Sequence, residues 1–375
     1  MVSSELSTDS ALISTETANY SAHDGQQFVS ICWKCAGTGF KPTKTRLRLQ
    51  LPCTVCPGSG RIKPKEAINR RPYRPFKAEW NVPGPSAAYD MYHEDFVPEE
   101  NEMISSLCGH WMLYQLENGH RMTTDDLMGA AVAIRHMRAI KRIPSSYLDI
   151  GTGLGSVLLF VNWAFFGEIS RCSAIEAQSI HVKLARKSCR INGVDQLCNI
   201  IHHDIRSLIE TEIAEFPRSQ KFDLITGTPP YFPPPNGALP TNAGRGMCAF
   251  EFRGGIEMYC KLASLHLAKN KGARFIVVQT SLEVARTTLA GQIVGFQLIE
   301  RWDVHGMTGK LSLFSIFVFQ WHKNDAPCSI SGLDVRGRDG QFTHSMKEIY
   351  ELTGKPPAKY EPRSVPRSWT PTTSK

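Results

Sequence analysis

The sequence predicts an α/β fold: a largely parallel sheet closing in an antiparallel hairpin, preceded by a small cysteine-rich module. Three observations carry this. Between about residues 147 and 321, short apolar runs alternate with stretches of helical length. The segment LDIGTGLG, at 148–155, joins the first run to the first helix through alternating glycines. The last two runs, 296–304 and 311–321, are separated by the turn HGMTG instead of a helix. A helical crossover lets the next strand run parallel, whereas a tight turn forces it back antiparallel.

In chain order, residues 1–28 are rich in Ser and Thr, with no Lys or Arg before Lys34. That matches neither a secretory signal nor an Arg-rich transit peptide, so a disordered tail of a cytoplasmic or nuclear protein is expected. Residues 29–77 read as a Cys-rich basic module, and 78–118 as a linker marked by Pro83, Gly84 and Pro85. A helical stretch over 125–140 opens the main domain, 119–323. Strands are then expected at 147–150, 171–175, 199–203, 222–227 and 273–279, with helices at 155–166, 180–191 and 256–269. Beyond 324 the hydrophobic periodicity fades, and an irregular basic tail is expected to 375.

Composition bounds the function classes. The 375 residues are 42% hydrophobic and 21% charged, ordinary values for a globular protein. The longest apolar stretch, 157–166, is far shorter than the roughly 20 residues that span a bilayer. Eleven cysteines, an odd number, argue for thiols and metal ligands over disulfides. Charge is uneven: residues 41–77 hold eleven Lys or Arg against the single acid Glu66, a balance of +10. The whole chain is +8, so the remainder carries −2. Such a localised basic stretch is the electrostatic footprint of a nucleic-acid partner, although a solvated surface or a nuclear-localisation signal fits it too.

Within that module, CWKCAGTG (Cys32, Cys35) and CTVCPGSG (Cys53, Cys56) are two copies of Cys-x-x-Cys-x-Gly-x-Gly. Each pair can form a knuckle, and together they supply four sulfurs for a tetrahedral zinc. A redox Cys-x-x-Cys explains one pair but not two. The other seven cysteines show no ligand spacing and read as small buried hydrophobes. Trp33, Tyr73 and Trp80 could stack on unpaired bases or pack around the zinc module.

In the main domain Asp149 ends the first strand, and Gly151, Gly153 and Gly155 follow it. Glycines are needed where the backbone turns sharply beneath a ligand. A dinucleotide fingerprint would place the third glycine at 156, where this chain has serine. Glu176 ends the second strand, where a carboxylate can accept ribose hydroxyls, and Asp204 ends the third. Singly, each acid is better explained as a helix N-cap or a strand-end surface residue; three at successive strand ends suggest a ligand edge. The fourth strand ends in Thr228-Pro229-Pro230-Tyr231-Phe232, a rigid turn whose aromatics can stack on a planar target. His202 and His203 read as structural.

These motifs resemble the class I S-adenosylmethionine-dependent methyltransferases. The closest likeness is to the amino-methyltransferases with an Asn/Asp-Pro-Pro-Tyr motif, such as the bacterial tRNA(Val) adenine-37 N6-methyltransferases, over about residues 119–320. The cysteine repeats resemble the zinc region of DnaJ-type chaperones over about thirty residues. The first resemblance implies a Rossmann-like sheet and S-adenosylmethionine bound by Asp149, Gly151, Gly153, Gly155, Glu176 and Asp204, with Asp204 at the adenine. It also implies catalysis at Thr228, Pro229, Pro230 and Tyr231, with Tyr231 and Phe232 holding the target. Thr124-Asp125 would match a Thr-Asp segment ahead of the loop, and Glu251 an acid opening a later helix. The chain departs from the family at Thr228, where Asn or Asp is usual. The implied substrate is an adenine amine in RNA, with tRNA as the partner. Two rivals stay open: a methyltransferase acting on a protein glutamine or a small molecule, and a silent zinc- and RNA-binding adaptor.

Overall fold

The structure, a computed structural model, describes residues 30–31, 61–62, 81–89, 94–234, 243–322 and 327–356. The chain divides into two compact units, 1–69 and 70–375. In the first, β1 (Ser30–Ile31) pairs antiparallel with β2 (Arg61–Ile62). Cys32, Cys35, Cys53 and Cys56 fall between these strands in sequence and, like the rest of 41–77 apart from Arg61 and Ile62, lie outside the described residues.

The second unit opens with a hairpin, β3 (Glu102–Cys108) and β4 (Trp111–Leu116). An eight-stranded sheet follows, built from β5 (Ser146–Ile150), β6 (Arg171–Glu176), β7 (Cys198–His202), β8 (Leu224–Gly227), β9 (Arg274–Thr280), β10 (Phe296–His305), β11 (Ser312–Trp321) and β12 (Ser329–Asp334). Its order is β12-β10-β11-β9-β8-β5-β6-β7. The central pairs are parallel, and β11 runs antiparallel to both β9 and β10. This is the Rossmann-like methyltransferase sheet expected from the sequence. Strands β5, β8 and β9 are buried at every position, as parallel strands covered on both faces must be.

Helices α1 (Thr124–Ala139), α2 (Ser156–Ala164) and α3 (Ser179–Ile191) pack on one face of the sheet. Next in sequence come α4 (Ile205–Glu210), α5 (Ala243–Ala249), α6 (Ile256–His266) and α7 (Val284–Ile293), of which α4, α6 and α7 pack on the other. Alternation along β5 divides the two layers: Tyr147 enters the first and Leu148 the second. Phe275, Phe296, Phe317 and Phe319 form a ring cluster in the second layer. Truncating one such buried ring costs about 3–5 kcal/mol. The sequence extends α6 to 269, but the helix stops at His266. There the backbone turns to pair with Phe222, through Phe222 N–H to the His266 carbonyl and Ala268 N–H to the Phe222 carbonyl.

Two expectations need correction. The stretch 78–118, read as a linker, contains the β3–β4 hairpin, which docks on α3. Met112 N–H donates to Asn192 Oδ1 at 2.9 Å, Asn192 Nδ2 donates to the Met112 carbonyl at 2.8 Å, and Tyr114 N–H donates to Ser188 Oγ at 2.9 Å. All six positions of β4 are buried, so the alternation that marks a half-exposed strand is missing. Beyond 324, β12 adds in parallel to β10, and α8 (His344–Leu352) begins at Thr343, whose hydroxyl accepts from Met346 N–H. Both were illegible because β12 is mostly exposed at the sheet edge and α8 buries Met346 and Ile349 alone. Residues 357–375 lie outside the described set.

Candidate active site

The loop after β5 turns through three left-handed residues, with φ of 68° at Gly151, 56° at Gly153 and 85° at Gly155. Only glycine adopts such angles without strain, so the alternation in the sequence is a backbone requirement. A Cβ on Gly151 would lie 2.1 Å from the Tyr259 hydroxyl, so the loop fits tightly against α6. A Cβ on Gly153 would meet nothing within 4 Å. Gly153 faces a cavity of about 470 Å³ at the carboxyl edge of the sheet.

Asp149 lies beneath the loop and is absent from the cavity lining. Its carboxylate accepts from Thr152 Oγ1 at 2.7 Å and Thr226 Oγ1 at 2.6 Å, tying the loop to β8. Burial pushes its carboxyl up to about 6, despite these hydrogen bonds. It braces the loop from below, while Gly151, Thr152 and Gly153 line the cavity above it. Gly155 likewise sits outside the lining, as the residue that starts α2.

Glu176, at the end of β6, lines the cavity and accepts from Gly153 N–H at 2.9 Å and Gln178 N–H at 2.7 Å. Burial raises its pKa against those backbone bonds. Each carboxylate oxygen carries two lone pairs, so acceptor capacity remains for a ligand hydroxyl. Asp204 also lines the cavity, and it caps α4 by accepting from Arg206 N–H at 2.9 Å. Arg206 Nη2 grips the same carboxylate at 2.8 Å and Arg253 Nε lies at 3.9 Å. Burial raises its pKa, but the Arg206 bonds outweigh that and hold it below the usual carboxylate range. The expected adenine contact at Asp204 therefore competes with two guanidinium partners.

Thr228, Pro229, Pro230, Tyr231 and Phe232 all line the same cavity. The turn is pinned twice: Gln279 Nε2 donates to the Pro230 carbonyl at 3.2 Å, and Phe232 exchanges backbone bonds with Ala249 and Glu251. Tyr231 donates its hydroxyl to Asp125 Oδ2 at 2.6 Å. Phe232 is 45% exposed and contacts Phe250 at 6.0 Å between ring centroids, with Phe252 next in the row at 5.8 Å. The sequence thus brings Gly151, Gly153, Glu176, Asp204 and the whole 228–232 turn to one space.

The far wall was largely unforeseen. Asp125 and Asp126, in the first turn of α1, line the cavity, as do His181, Cys248 and Tyr259. Asp126 accepts from Thr123 N–H at 3.1 Å, and burial, with the charges of Asp125 and Asp149 adding, pushes its carboxyl up to about 8. His181 is held neutral, its pKa lowered to about 4 by burial and then by His120 and Arg253. Sequence patterns assign Asp126 to helix capping and His181 to a helix face, so neither announces itself. Glu251 does not open a helix: α6 starts at Ile256, and Arg286 grips Glu251 with two bonds of 2.9 and 3.0 Å. His202 and His203 are outside the lining, each within reach of a backbone carbonyl. Among the described residues, no cluster of three or more His, Cys, Asp or Glu could hold a metal, and no helix is long and apolar enough to cross a membrane.

No family model matches the chain. Over 113 residues it is 33% identical to the tRNA1(Val) (adenine(37)-N6)-methyltransferase of Actinobacillus pleuropneumoniae, covering 30% of this chain and 41% of that protein. Over 198 residues it is 25% identical to the enzyme of the same name from Proteus mirabilis, covering 52% of this chain and 74% of that one. The chain thus spans about two-fifths of the first of these relatives. Among solved structures, a predicted O-methyltransferase from Agrobacterium tumefaciens aligns with a TM-score of 0.42 at 14% identity, over 60% of this chain and 97% of that one. The ribosomal protein L11 methylase of Lactobacillus delbrueckii aligns at 0.36 and 14%, over 54% and 81%.

Proposed function

We propose that the chain is an S-adenosylmethionine-dependent RNA methyltransferase acting on the exocyclic amine of an adenine, with tRNA as the substrate. The observation that carries this is the single cavity of about 470 Å³ shared by the glycine loop, Glu176 and the Thr-Pro-Pro-Tyr-Phe turn. That volume lies within the usual range for a small-molecule site, about 300–1,000 Å³. The relatives it resembles are named tRNA1(Val) (adenine(37)-N6)-methyltransferases, which supports an adenine N6 target.

In this reading Glu176 would accept hydrogen bonds from the ribose hydroxyls of the cofactor, and the bare backbone of Gly153 would leave room for it. Bound S-adenosylmethionine supplies an electrophilic methyl on a positively charged sulfur. The target base enters between Tyr231 and Phe232, extruded from its stack. The Thr228 hydroxyl and the Pro229 carbonyl accept the two amine hydrogens, and this draws the nitrogen lone pair out of the ring. Methyl transfer to the nitrogen held this way would leave a neutral sulfur on the spent cofactor and release the amine proton to solvent. Orientation can supply up to about 7–11 kcal/mol of the barrier in such a displacement. Threonine in place of the usual amide or carboxylate keeps one acceptor with a shorter reach, a difference of about 1 kcal/mol.

Cys32, Cys35, Cys53 and Cys56 would hold a structural zinc, since four thiolates in two Cys-x-x-Cys pairs suit its tetrahedral preference. The basic stretch 41–77 would then hold RNA phosphates. The test is transfer of labelled methyl to total RNA and to a protein extract in parallel. RNase-sensitive label supports the proposal; label confined to protein transfers the reading to a glutamine substrate.

A further inference from the structure

Tyr231 carries the ring that meets the target, yet its backbone alone does not decide where that ring lies. The turn is anchored at the Pro230 carbonyl by Gln279 and at Phe232 by backbone pairing with Ala249 and Glu251. Between these anchors the Tyr231 side chain is partly buried against the hydrophobic layer of α1 and α2, with its ring edge-on to Phe232. A polar hold is added at the ring's far end. The phenol donates to Asp125 Oδ2 at 2.6 Å, a bond joining residues 106 apart in sequence.

We infer that Asp125 is a positioning residue for the target clamp, its carboxylate fixing the direction in which the Tyr231 ring projects toward the entering base. The inference rests on the proposed function for the identity of that base, but the bond itself does not. Three features make Asp125 suited to the task. It sits in the first turn of α1, where the helix N-terminus stabilises a carboxylate. Its other oxygen is engaged by the Thr123 hydroxyl, so the side chain is itself held. Both Asp125 and Tyr231 line the cavity, so the bond crosses from the wall of α1 to the target turn. The hydroxyl lies on the χ2 axis, so the bond fixes χ1 while leaving the ring free to flip about its own axis. Hydrogen bonds to a carboxylate are shorter and stronger than neutral ones, which gives this one the means to select a rotamer.

The titratable neighbours are consistent. Asp126 is the adjacent carboxyl, and burial followed by Asp125 raises the Tyr231 phenol well above its ordinary value, so it remains a donor.

The test uses Tyr231→Phe, Asp125→Ala, Asp125→Asn and the double variant Tyr231→Phe with Asp125→Ala, all full length. Methyl transfer is measured at saturating cofactor. The single variants Tyr231→Phe and Asp125→Ala should each lower kcat/KM for RNA about tenfold or more, in line with losing a charge-assisted bond. The double variant should be no worse than either, while Asp125→Asn, which keeps an acceptor oxygen, should recover most of the rate. In parallel, the protein is labelled with 3-fluorotyrosine and the Tyr231 resonance is identified by its absence in Tyr231→Phe. That resonance should be a single line in the wild type and in Asp125→Asn, and broadened or split in Asp125→Ala. Losses that multiply in the double variant, or a Tyr231 line unchanged by Asp125→Ala, overturn the inference. A fluorine result as expected with no transfer to RNA by the wild type would keep the positioning role and remove the substrate reading.

Discussion

Substitution at Gly153 separates the fold of the loop from the ligand it is built to hold. Its φ of 56° strains any L-residue by about 1–2 kcal/mol, yet an added Cβ has no neighbour within 4 Å. Folding should therefore bear the conformational term alone. For a unit of this size, 1 kcal/mol moves Tm by about 2–4 °C, so Gly153→Ala should lower Tm by about 2–8 °C. The same change at Gly151 adds a clash, with the new Cβ 2.1 Å from the Tyr259 hydroxyl, and should cost distinctly more. Ligand affinity should respond in the opposite order of severity to stability. The open face of Gly153 lines the cavity where the proposed cofactor would lie, and Gly153→Val fills it with a branched side chain. A loss of at least about 100-fold, near 2.7 kcal/mol, is expected in a calorimetric titration with S-adenosylhomocysteine. Thermal unfolding without ligand, run beside it, shows that the fold survives. Wild-type affinity in Gly153→Val, or equal Tm losses for alanine at 151 and 153, would refute the reasoning.

Other outcomes follow from the same geometry. Asp149→Asn should lower Tm by several degrees and weaken cofactor binding, although residue 149 lies outside the cavity lining: one hydroxyl loses its acceptor, at about 1–3 kcal/mol. An unchanged Tm would mean that the loop does not depend on this brace. Asp126, raised to about 8 by burial, holds its proton in the folded state at pH values where the unfolded chain, near 3.8, has released it. The sign follows: the ligand-free fold loses stability as pH rises from about 4 to about 8, and a cationic ligand that favours the carboxylate binds more tightly over the upper part of that range. S-adenosylmethionine should thus gain more affinity with pH than S-adenosylhomocysteine, whose sulfur is neutral, and Asp126→Asn should flatten the difference. A pH-independent ratio of the two affinities would contradict this. Cys32→Ser should release zinc while leaving S-adenosylhomocysteine affinity intact; stoichiometric zinc retained in that variant would dismiss the four-cysteine site.

Much of the ligand edge was legible because it is written in backbone requirements. Gly151, Gly153 and Gly155 must be glycine at positive φ, and Pro229 and Pro230 fix a turn whatever surrounds them. Acids at strand ends, such as Glu176, are likewise placed by local pattern. What stayed hidden depends on packing between distant segments. Asp126 looks like an ordinary first-turn acid until the structure buries it against the cavity. Asp149 reads as a ligand contact but points down to Thr226, a partner 77 residues away. Hairpin β3–β4 escaped for a related reason: all six positions of its second strand are buried, so the periodicity that reveals a half-exposed strand never forms. The same logic explains β12 and α8, whose few buried side chains give too weak a pattern to stand out from a tail.

The most direct measurement of the central claim is the chemical identity of the methylated product. Purified protein is incubated with methyl-labelled S-adenosylmethionine and unmodified tRNA, and the RNA is digested to nucleosides for mass spectrometry. Label in N6-methyladenosine, lost in Gly153→Val, is the predicted result, and it would show that Thr228 serves where the family carries an amide or carboxylate. Label in any other nucleoside, or none in RNA from a protein that binds the cofactor, would contradict it.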